Sequence, residues 1–90
     1  MMEANLIYKE NPSIQELVKE VESQFSQGNT NGFNEPMALI TIHSGETLEI
    51  IKDENLQLYS MLIYNAQGNP MLPYYNANTI EELLETVCEY

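Results

Sequence analysis

The chain has 90 residues, with 14 acids against three lysines and no arginine, for a formal net charge of −11. That length holds one domain, 1–90, and the 43% of hydrophobic residues is enough for a packed core rather than wholesale disorder. The charge excludes a basic groove for nucleic acid and opposes binding to an anionic membrane surface. No apolar run approaches the ~20 residues of a membrane span.

Residues 1–11 read as a partly ordered N-terminal segment with a short edge strand at Leu6–Tyr8. Met1-Met2-Glu3-Ala4-Asn5 lacks the basic and apolar regions of a secretory signal, and Cys88 has no second cysteine to pair with. Asn11-Pro12-Ser13 is disqualified as a glycosylation acceptor by its proline. A cytoplasmic protein is expected.

A helix is predicted over 12–26. Ile14, Leu17, Val18, Val21 and Phe25 form an apolar stripe at helical spacing. Its start is capped either by Asn11 with Pro12 at the first helical position, or by Ser13 with Glu16 closing a capping box. Gly28 is the natural stop. Residues 27–36 have turn formers and no periodicity. They form a long loop that is either a connector or a contact surface.

From Met37 the pattern turns to strands. Met37–Ile42 leads through a His43-Ser44-Gly45-Glu46 hairpin to Thr47–Lys52, where Leu48 and Ile50 share a face; a helix over 46–54 is the competing reading. After a turn at Asp53-Glu54-Asn55, Leu56–Asn65 is the longest strand candidate. It is apolar in both parities, with Leu56, Leu58, Leu62 and Tyr64 on one face and Tyr59, Met61 and Ile63 on the other. Such a strand belongs inside a sheet screened on both sides. Either the two helices cover opposite faces, or they share one and a second chain covers the other. Pro70–Tyr75 carries Pro70 and Pro73, which lack amide donors, so it belongs at an edge or is irregular. Thr79 and Glu82 then form a capping box for a last helix carrying Ile80, Leu83, Leu84, Val87 and Cys88 inward. The expected fold is α+β: helix, three- or four-stranded antiparallel sheet, helix.

Catalytic signals are poor. The single histidine, His43, lies in a predicted turn, and Cys88 reads as a buried structural thiol on an apolar stripe. The four glycines stand apart, spread over three loops, and no phosphate-cradling motif forms. Counted from Asp53, the twelfth position of a calcium loop is Tyr64 rather than Glu. No enzyme activity, metal or cofactor is expected.

The acids themselves carry the functional pattern, and every Glu is expected at an exposed position. Glu16, Glu20 and Glu22 lie outside the stripe of the first helix, and Glu81, Glu85 and Glu89 on the last; Glu46, Glu49, Asp53 and Glu54 lie in the hairpin region. The pairs Glu16/Glu20, Glu81/Glu85 and Glu85/Glu89 are like charges one turn apart, each costing a few tenths of a kcal/mol, roughly what an opposite pair contributes. Solubility, adaptation to high salt and recognition of a strongly basic partner all account for such self-repulsion. Under the last reading, carboxylates about 6 Å apart along a helix occupy a partner's basic channel as phosphates do. The six tyrosines suit a protein whose work is contact.

Size, acidity, scarcity of catalytic residues and element order together resemble the small DNA-mimicking inhibitors of phages and mobile elements, such as anti-CRISPR proteins and uracil-DNA glycosylase inhibitors. The resemblance implies a non-enzymatic, anti-defence inhibitor of a nucleic-acid-processing protein, without direct nucleic-acid binding; it carries no individual residue roles. Double-stranded-RNA-binding domains share the strand order, but their basic contacts are missing here. The alternative is an acidic immunity-type or adaptor protein that covers its partner away from any nucleic-acid site. A homodimer is compatible with either.

Overall fold

The computed structural model describes residues 5–7, 13–42 and 45–86. In chain order it contains β1 (Asn5–Ile7), α1 (Ile14–Ser26), β2 (Met37–Thr41), β3 (Thr47–Asp53), β4 (Leu58–Tyr64), β5 (Pro70–Ala77) and α2 (Ile80–Glu85). The strands form one sheet in sequence order. β2 to β5 are antiparallel neighbours, as the patterning predicts, while β1 adds a parallel edge beside β2 with α1 as the crossover.

Local chemistry sets the ends of these elements. The Ser13 hydroxyl accepts the Glu16 amide at 3.2 Å, and the Glu16 carboxylate accepts the Ser13 amide at 2.9 Å. Of the two predicted caps, this capping box starts α1; Asn11 and Pro12 lie outside the described residues. Gly28 takes a φ of +84°, which lets its amide turn back onto the Phe25 carbonyl. In the β2–β3 hairpin, Gly45 has φ +94°, and a Cβ there would meet the Ala66 Cβ at 3.1 Å, so both conformation and space call for glycine. His43 and Ser44 fall outside the described residues.

β4 begins at Leu58 rather than Leu56. Asp53 Oδ1 accepts the amides of Asn55 and Leu56, at 3.0 and 3.2 Å, and Gln57 adopts a φ of +58°. These bonds draw Leu56 and Gln57 into the turn and leave Leu56 exposed. β5 is the far edge of the sheet. Its register slips between Met61, opposite Tyr75, and Ile63, opposite Met71, in the stretch that holds Pro73. A residue without an amide donor sits where the ladder is already broken.

Both helices pack on one face of the sheet. Leu17 and Val21 of α1 and Ile80, Leu83 and Leu84 of α2 share a core with Ala38, Ile40, Leu48, Ile50, Met61 and Ile63. The Phe25 and Tyr59 rings stack at its margin, 6.3 Å between centroids. Burying each Leu or Ile contributes roughly 1.5–3 kcal/mol. One polar residue joins this layer. Gln24 is 1% exposed, and its amide group forms two bonds with the Leu39 backbone, donating to the carbonyl at 3.0 Å and accepting the amide at 2.8 Å. It works as a side-chain extension of the ladder. The expectation that β4 is screened on both sides is thus met fully on one side and in part on the other: Met61 and Ile63 are buried beneath the helices, whereas on the far face Leu62 is buried among its neighbours but Leu58, Ser60 and Tyr64 are only half-buried.

Candidate interaction surface

The second face of the sheet is built from the alternate residues of β2 to β5. Because side chains alternate with a period of two, placing Leu48 and Ile50 inward obliges Thr47, Glu49, Ile51 and Asp53 to point the other way. Cross-strand register aligns Leu39, Glu49 and Leu62 in one row and Met37, Ile51, Ser60 and Asn76 in the next. Thr41 and Thr47 bond at 3.0 Å, and the Ser60 hydroxyl donates to Asn76 at 2.8 Å, tying neighbouring strands across this face. Both described helices lie on the opposite side.

Glu49 stands at the centre of this surface, between two leucines. It is half-buried rather than exposed, as are Glu20, Glu35 and Glu46, a correction to the expectation that every Glu is exposed. The Tyr64 hydroxyl donates to its carboxylate at 3.2 Å. Burial, then the Glu49 charge, the Glu49 hydrogen bond and nearby Tyr74, hold the Tyr64 phenol above its ordinary pKa. Tyr74 is 55% exposed. At one end, Glu35, Ile51, Asp53, Ser60, Tyr74 and Asn76 surround a shallow depression of about 290 Å³. No described lysine lies on this face: Lys52 is opposite Tyr59 in a helix-side position, and Lys19 is on the exposed side of α1.

The other acids are dispersed. Glu16 is the capping residue of α1, and Glu20 accepts the Gln24 side chain at 2.7 Å. Glu22 lies roughly 200° around the helix from Glu20. It lines an open groove of about 340 Å³ against α2, with Val18, Tyr59 and Glu81. Glu85 is exposed at the end of α2, and Glu89 lies outside the described residues. Glu46 flanks the β2–β3 hairpin, Asp53 organises the β3–β4 turn, and Glu54 is exposed within it. The three acids of α1 therefore form no single row.

The loop at 27–36 is more ordered than its composition implies. Asn31 Oδ1 accepts the Phe33 and Glu35 amides, its side-chain amide donates to the Glu35 carboxylate, and Thr30 bridges Pro36. Glu35, absent from the predicted acids, reaches the depression by this route. Gln24 was legible in principle, three residues beyond Val21 and seven beyond Leu17. Among the described residues no cluster of three or more His, Cys, Asp or Glu is placed to hold a metal ion, and no helix is long and apolar enough to cross a membrane. Comparison with protein-family models, with curated proteins and with solved structures finds no match.

Proposed function

We propose that this chain is a non-enzymatic, cytoplasmic binding protein whose partner is strongly basic, and that it inhibits a nucleic-acid-processing protein by occupying the surface that holds phosphate. The observation that carries the reading is the sheet face just described. Glu49 and Asp53 are set there among partly exposed apolar side chains, and no described lysine opposes them. A net charge of −11 steers encounter with a basic surface, and apolar contact holds the complex once formed.

Purified protein titrated against nucleic-acid enzymes preloaded with double-stranded DNA tests the proposal. Competitive displacement that weakens as salt rises is the expected result. The adaptor reading draws support from Glu16 and Glu20, whose carboxylates are engaged within α1 rather than displayed as a phosphate-like row. Complexes in which the enzyme keeps its DNA would replace inhibition with that reading.

A further inference from the structure

We propose that the open sheet face receives a single amphipathic helix of the basic partner, with an arginine of that helix on Glu49. The inference rests on the basic partner of the preceding reading and adds its shape and contact chemistry. An antiparallel sheet can leave a polar face to water, but this face carries Leu39, Ile51, Leu58 and Leu62, and the chain places both of its described helices on the other side. Four strands spaced ~4.8 Å apart give a face roughly 14 Å across. A helix is about 10–12 Å in diameter, so one fits.

The charge pattern selects the occupant. Glu49 is held by Tyr64 at the centre of the face, with Leu39 and Leu62 on either side across the strands. A carboxylate in that setting calls for a cation delivered among apolar side chains. Arginine suits it best, since its guanidinium pairs with carboxylate and stacks on aromatic rings, here those of Tyr64 and Tyr74. A second copy of this chain is the poorer occupant, because stacking two such faces would bring the Glu49, Asp53 and Glu35 carboxylates of both copies together. Edge pairing is blunted too: β1 has three residues, and β5 contains Pro70 and Pro73.

Isotope-labelled full-length protein would be titrated with two synthetic peptides, an Arg/Leu amphipathic helix and an oligoarginine of equal charge. Saturable amide shifts at Leu39, Glu49, Ile51 and Leu62 are expected with the amphipathic peptide. Glu49→Gln, which keeps an acceptor for Tyr64, should weaken it by about tenfold or more. Tyr74→Ala should weaken it several-fold, and Glu22→Gln should leave it unchanged. Equal binding by oligoarginine with shifts on the helices, failure of the amphipathic peptide to saturate, or a free protein that dimerises through this face would each overturn the proposal. If these shifts appear but no enzyme loses its DNA, the inhibitor reading fails and the docking face stands.

Discussion

The two faces of the sheet use the same strands to opposite ends. On the helix side, Ala38, Ile40, Leu48, Ile50 and Met61 are fully buried, and the buried polar residue among those described, Gln24, has its bonding satisfied. On the far side Leu62 is buried but Leu39, Ile51 and Leu58 are half-buried, a carboxylate sits between leucines, and the cross-strand hydrogen bonds run between side chains. One face is closed by its own chain, and the other has the composition of a surface that meets something else. Folding stability should therefore be concentrated on the first and binding on the second.

The largest expected effect is in the core. Leu48→Ala removes a fully buried side chain and should cost about 2–5 kcal/mol in urea unfolding, much of a stability of roughly 5–15 kcal/mol. Next is Gln24→Ala, which leaves both backbone groups of Leu39 without their side-chain partner and should cost about 1–3 kcal/mol. Ile51→Ser, one residue beyond Ile50 but on the other face, should cost less than about 1 kcal/mol. If it proved as costly as Leu48→Ala, the open face would be covered in solution and the contrast would fail.

The smallest effect is a titration. The Tyr64 pKa is raised in the folded protein, so the fold prefers the protonated phenol. That contribution is whole below the unfolded-state value of about 10 and is lost as pH rises past it through the folded value. Tyr64→Phe should remove this part of the alkaline loss of stability, and Glu49→Gln should bring the Tyr64 titration, followed by tyrosinate absorbance, back towards its ordinary range. An unchanged titration in Glu49→Gln would separate the two residues and weaken the case for Glu49 as the centre of the face.

The helix spacing of Ile14 to Phe25, the Ser13–Glu16 box, the alternation of Leu48 and Ile50 and the two prolines of β5 were all readable from the chain, because each depends on neighbours within a turn or a strand. The start of β4 lies two residues beyond the start of the apolar run, since that run does not reveal that Asp53 binds the Leu56 amide. Among the acids, Glu49 carries the same local signal as the others, and its position between two leucines is not visible in the sequence. Its burial depends on Leu39 and Leu62, ten residues before it and thirteen after, and its hydrogen bond on Tyr64. Parity within one strand determines that a residue points away from the core. Which strands lie beside it, and whether a helix returns over it, is decided only when the sheet assembles. Local spacing thus determined the elements and the inward face of each, while tertiary packing decided that both helices cover the same side and leave one half-buried carboxylate between leucines on the other.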